Sequence, residues 1–327
     1  MQDTGSKAKS RTVVITGASS GIGQATAEAF AREGARLVIA ARDGDALEDV
    51  AGRCRQLGAE VLVVATDVTQ PDQVATLARR ALDFAGGIGV WVSNVGVGAV
   101  GAFHAVPLAV HAQVIRANLI GHMNDAHAAI PVFLRQGHVV FVNMISLGGF
   151  AAAPFAAAYS ASKFGLRGLA EALRGELVPH PGIHVCDVYP AFVDAPGIAH
   201  GANYTGRALS APPPLLDPRR VAEVITGLAR RPRPTTMVGL PTALVRLGHA
   251  ISPELSTRLM ARFLRAYFAR APRAAPSSGN LFAPPADPDG IDGGLRSPGQ
   301  RGGAVVAVAG LALIGALALG LGRAGRR

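Results

Sequence analysis

The chain has 327 residues, 49% of them hydrophobic and 17% charged, which excludes intrinsic disorder and allows a sizeable buried core. Its formal net charge is +10, yet residues 1–200 hold 15 basic and 16 acidic side chains, while residues 201–327 hold 17 and 6. Because the basic residues form no nucleic-acid motif and have no interleaved aromatic residues, we expect no nucleic-acid partner. Cys54 and Cys186 cannot build a disulfide framework, which favours buried thiols in a reducing compartment.

Residues 1–10 are polar and lack the apolar stretch of a secretory signal, which predicts a flexible N-terminus and a domain in the cytoplasm. After them, short apolar runs alternate with helical patterns, the first of which extends from Gln24 to Arg32. Near-continuous apolar strands separated by helices predict a doubly wound parallel sheet, an α/β fold of Rossmann type over residues 11–240. The predicted strands lie at 12–16, 36–40, 60–65, 90–93, 138–143, 183–188 and 235–238.

A glycine-rich turn connects the first strand to the first helix. Its three glycines permit a tight turn, close approach of a ligand to the backbone, and tight packing of the helix on the strand. A pyrophosphate can then lie against the N–H groups at the start of the helix. The turn therefore predicts a dinucleotide site formed by Thr16, Gly17, Ser19, Ser20, Gly21, Ile22 and Gly23.

The end of the second strand indicates which nicotinamide cofactor binds. A carboxylate there would accept hydrogen bonds from a ribose 2′-OH, but Ala41 occupies the place and Arg42 follows. Arginine binds a 2′-phosphate and stacks on adenine, so we expect NADP(H) rather than NAD(H). Asp43, one position later, is expected to cap the next helix. At the end of the third strand, Asp67 and Val68 are expected either to contact the adenine or to cap a loop.

A second group of residues follows in the sequence YSASK. Leucines at helical spacing after it place Tyr159 and Lys163 at i and i+4 on one helix face. A neighbouring ammonium favours the phenolate, so we expect a lowered pKa for Tyr159, suited to a general acid or base. Lys163 is the one lysine outside the first ten residues, in a chain with 29 arginines, which suggests that this position needs a compact ammonium group.

Together with SNVG at residues 93–96, these motifs resemble the short single-domain branch of the short-chain dehydrogenase/reductases, over about residues 11–239. The resemblance implies a nicotinamide cofactor and a tetrad of Asn118, Ser146, Tyr159 and Lys163. In this analogy Ser146 polarises a substrate carbonyl, Tyr159 transfers the proton, Lys163 holds the nicotinamide ribose and tunes Tyr159, and Asn118 positions a relay water. The cofactor contacts implied in addition are those of Asn94, Gly96, Pro190 and Val193.

Two segments depart from the family pattern. The usual NNAG is SNVG here, and the usual PGxVxT is PAFVDA at residues 190–195. The second change replaces a glycine by Ala191 and replaces the threonine that meets the carboxamide by Ala195. We therefore expect an altered grip on the cofactor.

Other chemistries are not supported by residue patterns. The histidines include no HExxH motif, and the spacing of His122 and His127 puts them on different sides of a helix, so we expect no metal. No GxSxG elbow with partner residues occurs, which argues against a hydrolase.

The C-terminal third predicts three further units. Residues 241–270 combine apolar positions at helical spacing with arginines, which fits a packing helix and a membrane-surface helix equally. In residues 271–303, 16 of 33 are Pro, Gly or Ser, which predicts a flexible linker. Residues 304–322 are uncharged and span about 28 Å as a helix, which predicts a transmembrane anchor. By resemblance, the Pro/Gly-rich residues 195–218 form the loop that covers the substrate.

The combined prediction is an NADP(H)-dependent oxidoreductase that interconverts a carbonyl and an alcohol, acting on a lipophilic small molecule at a membrane. One alternative is a membrane-tethered NADP-binding scaffold or sensor without turnover. Another is an NAD(P)-linked alcohol or steroid dehydrogenase working in the oxidative direction. The catalytic domain is expected in the cytoplasm, and the resemblance implies a homo-oligomer. With the domain in the cytoplasm, a spanning helix would place the arginines after residue 322 outside, against the positive-inside rule. A shallow insertion of the tail, or docking of the tail on a protein, is therefore an alternative to a spanning helix.

Overall fold

The predicted parallel sheet is present in the computed structural model, which describes residues 11–285 and 290–296. Seven strands pair in the order β3-β2-β1-β4-β6-β7-β9, and every neighbouring pair is parallel. This order confirms the Rossmann-type fold, and each predicted strand corresponds to one strand of the sheet. Their bounds are β1 Thr12–Thr16, β2 Arg36–Ala41, β3 Val61–Ala65, β4 Val90–Ser93, β6 Val139–Met144, β7 Ile183–Pro190 and β9 Thr235–Val238.

Helices cover both faces of the sheet. Helices α1, α2 and α7 pack on one face, and α3, α5 and α6 pack on the other, each over an apolar cluster of its own. This double cover explains why β1 and β4 are buried along their whole length. The bounds are α1 Gly21–Arg32, α2 Gly44–Gln56, α3 Pro71–Ala85, α4 Leu108–Ile115, α5 Gly121–Gln136, α6 Ala157–Glu176, α7 Pro218–Arg230, α8 Leu240–Ile251 and α9 Pro253–Arg270.

The strand order reverses at β1. The chain first moves outward from β1 to β2 and β3, then returns to place β4 on the other side of β1. The connections above β1 and β4 therefore diverge and leave a crevice at the carboxyl ends of these strands, where ligands bind in sheets of this kind. A second, two-stranded sheet lies beyond this edge and was not predicted: β5 (Ala99–Val100) pairs in parallel with β8 (Ala202–Asn203).

The C-terminal third differs from the sequence-based expectation. The predicted anchor at 304–322 lies outside the described residues, and among the helices within them none is both long and apolar enough to cross a membrane. The predicted linker is docked on the catalytic domain where it is described. Ser277 bridges to Asn203 in antiparallel fashion, and Leu281 is 1% exposed within an apolar cluster. The content of Pro, Gly and Ser indicates how stiff a segment is locally. It does not indicate whether the segment docks on a distant surface, so composition alone did not predict these contacts.

Candidate active site

The glycine-rich turn after β1 has the backbone that its glycines require. Gly17 and Gly21 lie in the left-handed region, at φ +68° and +54°. A Cβ at Gly23 would overlap the carbonyl oxygen of Gly17, so only glycine allows α1 to begin so close to the turn. The same carbonyl accepts a hydrogen bond from Asn94 Nδ2 at 3.0 Å, which ties the turn to the end of β4.

A cavity of about 510 Å³ opens at the carboxyl ends of the strands, beside this turn. It brings together most of the residues predicted for cofactor binding and catalysis, although they come from segments far apart in the chain. Those lining it are Gly17, Ser19, Ser20, Gly21, Ile22, Arg42, Asp67, Val68, Asn94, Gly96, Ser146, Tyr159, Lys163, Pro190 and Val193.

Three predicted site residues, Thr16, Gly23 and Asn118, are not among the lining residues. Thr16 donates from its hydroxyl to buried Asp125 at 2.8 Å. Asn118 lies in a π-helical turn and exchanges two hydrogen bonds with the backbone of Val97, at 2.8 and 2.9 Å. In this structure these side chains brace the walls of the cavity, and the relay role implied for Asn118 stays a prediction.

The catalytic candidates form one cluster on the cavity wall. Ser146 follows β6, and Tyr159 and Lys163 lie one turn apart on α6, as the spacing predicted. The hydroxyl of Ser146 lies beside that of Tyr159, where it favours the phenolate. Lys163 Nζ donates to the carbonyl oxygen of Met144 at 3.0 Å and lies 5.7 Å from the centre of the Tyr159 ring.

Burial dominates the protonation of this cluster. It raises the pKa of Tyr159, and the hydrogen bond from Ser146 only partly offsets this effect. It also lowers the pKa of Lys163 to about 7. The expected lowering of the Tyr159 pKa is therefore wrong for this structure. Burial disfavours the phenolate of Tyr159, and it also disfavours the Lys163 ammonium that was expected to stabilise this phenolate.

The residues at the ends of β2 and β3 have defined partners. Asp43 accepts from the N–H of Ala46 at 3.0 Å and caps α2, as predicted. Asp67 accepts from the N–H of Thr69 at 2.9 Å, the loop-capping role, while it also lines the cavity. Arg42 Nη2 donates at 2.6 Å to the carbonyl oxygen of Asn280, in the segment predicted to be a linker.

Sequence reasoning missed that α9 forms an outer wall of the cavity, whereas the resemblance did imply that the loop at residues 195–218 covers the substrate. One wall is α9, and part of another comes from the residues between β8 and α7. The apolar spacing in α9 indicated an apolar face but not the surface it would meet. The additional lining residues of these two walls include Leu209, Ser210, Ala211, Pro212, Met260, Leu264, Tyr267 and Phe268.

Comparison with known proteins agrees with this geometry. The short chain dehydrogenase family profile matches residues 11–203, so the chain belongs to the short-chain dehydrogenase/reductase family of oxidoreductases. It is 39% identical over 191 residues to a 1-deoxy-11-beta-hydroxypentalenate dehydrogenase of Streptomyces exfoliatus, covering 58% of this chain and 69% of the relative.

Solved structures with this fold hold a nicotinamide cofactor. A family member from Burkholderia phymatum in complex with NAD has a TM-score of 0.64 and 27% identity, covering 82% of this chain and 98% of its own. A metagenomic oxidoreductase in complex with NADP has a TM-score of 0.60 and 29% identity, covering 70% and 98%. A nicotinamide cofactor is therefore supported.

Within residues 11–285 and 290–296, no group of three or more His, Cys, Asp or Glu side chains could hold a metal ion.

Replacing Lys163 by methionine tests the electrostatics of the cluster without any substrate. The pKa of Lys163 is about 7 in the folded protein, against about 10.4 in the unfolded chain. Between these two pH values the unfolded state therefore binds more protons than the folded state. The free energy of unfolding of the cofactor-free wild type should therefore rise with pH across this window. Lys163→Met should be more stable than wild type near pH 7, and its advantage should shrink towards pH 10. Urea unfolding at several pH values measures the difference, and a constant difference would contradict the burial of a charged lysine.

Proposed function

We propose that this enzyme interconverts a carbonyl and an alcohol with NADP(H), acting on a lipophilic small molecule. The observation that carries the proposal is the cluster of Ser146, Tyr159 and Lys163 on the same cavity that the glycine-rich turn borders. Hydroxyl groups that donate to an oxygen, next to a backbone surface suited to a pyrophosphate, fit transfer of a hydride and a proton across one C–O bond.

The residues present fit a dinucleotide. Gly17, Gly21 and Gly23 allow the turn to pack tightly against its neighbours, which places the start of α1, whose first N–H groups lack intrahelical partners, at the cavity. Asn94 and Gly96 continue this surface towards the catalytic cluster. The bound cofactor would supply or accept the hydride at its nicotinamide ring.

The chain's own residues manage the substrate oxygen. Ser146 donates a hydrogen bond that polarises the carbonyl, and Tyr159 gives its phenolic proton as the carbon is reduced. Both side chains line the same cavity, which allows them to reach one substrate oxygen. Lys163, when protonated, stabilises the phenolate that remains. In the oxidative direction the same groups remove the alcohol proton.

The preference for NADP(H) rests on Arg42. No carboxylate ends β2, since Ala41 holds that place and the carboxylate of Asp43 caps α2. Arg42 lines the cavity, where its guanidinium would lie beside a 2′-phosphate at the adenosine end.

An apolar wall supports a lipophilic substrate. Met260, Leu264 and Phe268 of α9 face the cavity across from the catalytic cluster, together with the small side chains of residues 151–153. Apolar walls with few convergent polar groups bind apolar ligands, because each buried methylene gains about 0.8 kcal/mol.

We further propose that the enzyme works at a membrane surface. Leu240, Leu247 and Ile251 are 53%, 59% and 58% exposed and lie on one face of α8. Arg258 and Arg262 of α9 are exposed near them in the chain. Apolar side chains beside arginines suit the interface of an anionic bilayer, which agrees with the apolar sequence at 304–322.

Replacing Tyr159 by phenylalanine tests the chemistry. The variant keeps the ring and loses the proton donor, so kcat for reduction of a ketone by NADPH should fall by about 10²–10⁴-fold. NADPH binding, followed by the fluorescence of the bound cofactor, should stay close to wild type. Tyr204→Phe is the matched control and should keep full activity, because Tyr204 is not among the cavity-lining residues. Unchanged turnover in Tyr159→Phe would refute the mechanism.

The substrate class is tested by chain length. Leu264→Asn should lower kcat/KM for a long-chain ketone by roughly tenfold, since it removes apolar contact along the cavity, and should change short ketones little. Leu259→Asn is the control, being half-buried on the same helix but absent from the cavity wall. A wild type that reduces small water-soluble ketones far faster than long-chain ones would contradict the proposal.

A further inference from the structure

The C-terminal segment at residues 277–285 and 290–296, here called the strap, is fixed to the domain at both ends. At its start, the backbone of Ser277 exchanges hydrogen bonds with Asn203 at 2.8 and 2.9 Å, and the side chain of Leu281 is buried. Near its end, Ile291 packs against Ala25 and Ala222, on α1 and α7. Leu281 also lines the cavity, so the first part of the strap borders the cavity.

The strap contacts the residues assigned to the phosphate-bearing half of the cofactor. The carbonyl oxygen of Gly290 accepts from the N–H of Gly21 at 2.8 Å, at the first residue of α1. The guanidinium of Arg42 donates to three strap carbonyls, those of Asn280, Leu281 and Ala283, at 2.6, 3.2 and 3.3 Å.

The cavity remains open beneath these contacts. It is lined by the glycine-rich turn and by the strap residues Asn280, Leu281, Pro284 and Pro285. The strap therefore encloses the cleft from outside and does not fill it. It also orients Arg42, because a guanidinium held by three carbonyls keeps a fixed plane.

Arg296 holds the end of the strap in place. Its guanidinium donates to Asp194 at 2.9 Å, to Asp217 at 3.1 Å and to Asp292 at 2.9 Å, and its side chain is 8% exposed. Asp194, itself buried, also accepts from the backbone N–H groups of Leu295 and Arg296. Burial opposes the charge of Arg296, but the hydrogen bonds that it donates to Asp194 and Asp217 prevail and raise its pKa. We call this cluster the latch.

The latch lies on the segment that departs from the family pattern. Asp194 and Ala195 belong to PAFVDA, and Ala195 lines the cavity. Gly293 packs so closely on this segment that a Cβ there would come within 2.6 Å of the carbonyl oxygen of Ala195. The strap thus docks on the altered motif. It extends from Arg42, at the adenosine end of the cleft, to the segment beside Val193.

We propose that the strap is the outer wall of the cofactor site and that the latch controls how fast NADP(H) leaves it. This proposal rests on the proposed function, since it takes the cleft to hold NADP(H). Bound cofactor lies in the cavity that the glycine-rich turn and the strap both line, so it leaves when the strap lifts. The matched family residues end at 203, so this wall is built by a part of the chain beyond them.

The dissociation rate of NADPH tests the proposal. Full-length protein loaded with NADPH is mixed with excess NADP⁺ in a stopped-flow instrument, and the loss of bound NADPH fluorescence gives the rate. Arg296→Ala should raise the rate by about tenfold or more, because truncating one partner of a buried ion pair acts on dissociation. Arg296→Lys, which cannot reach three carboxylates as a planar fork, should give a smaller increase.

Arg220→Ala is the matched control, since Arg220 forms an exposed pair with Glu223 on α7, near the latch, and should leave the rate unchanged. If Arg296→Ala does not fold, Asp292→Asn weakens the latch at a half-exposed carboxylate and should still speed release. Unchanged release in all folded latch variants would overturn the proposal, and so would tighter NADPH binding, which would mean that the strap competes with the cofactor. A wild type that binds neither NADPH nor NADH would overturn the proposed function as well, whereas normal binding with unchanged release refutes the strap alone.

Discussion

The reversal of strand order at β1 is the constraint on which the site depends. The connection from β1 leads to β2 on one side of β1, and the connection from β3 leads to β4 on the other side. The carboxyl ends of the central strands therefore stay uncovered by crossover helices. The glycine-rich turn, Asn94 and Ser146 each follow a different strand at this edge. Residues distant in sequence therefore meet around one cavity, and the buried sheet holds them rigidly.

Burial then sets the chemistry at that edge. Lys163 is buried with its ammonium on the carbonyl oxygen of Met144, and Tyr159 is half-buried beside Ser146, so desolvation disfavours the charged form of each side chain. A phenol of raised pKa holds its proton until a substrate oxygen takes it, and a lysine of pKa about 7 responds strongly to any nearby charge. The site is thus adjusted for proton transfer by desolvation more than by the ion pair that the i, i+4 spacing suggested.

The sequence predicted what is local and periodic. The apolar runs identified all seven strands of the main sheet, the glycine spacing identified the turn, and YSASK placed Tyr159 and Lys163 on one helix face. It did not predict β5 and β8, since two-residue strands leave no periodic signal. Nor did it predict the strap, because docking of residues 277–285 and 290–296 depends on distant partners such as Asp194 and Arg42. The apolar face of α9 was visible as a pattern, but only the tertiary structure shows that Met260 and Leu264 line the cavity.

Transfer of the hydride to a substrate carbon is the central claim of this account. It is measured most directly with NADPH deuterated at C4 of the nicotinamide, incubated with a long-chain ketone, by mass spectrometry of the alcohol formed. The account predicts an alcohol that carries deuterium on its carbinol carbon with the wild type, and almost none with Tyr159→Phe. Tight binding of the deuterated cofactor without any labelled alcohol, across ketones of every chain length, would contradict it.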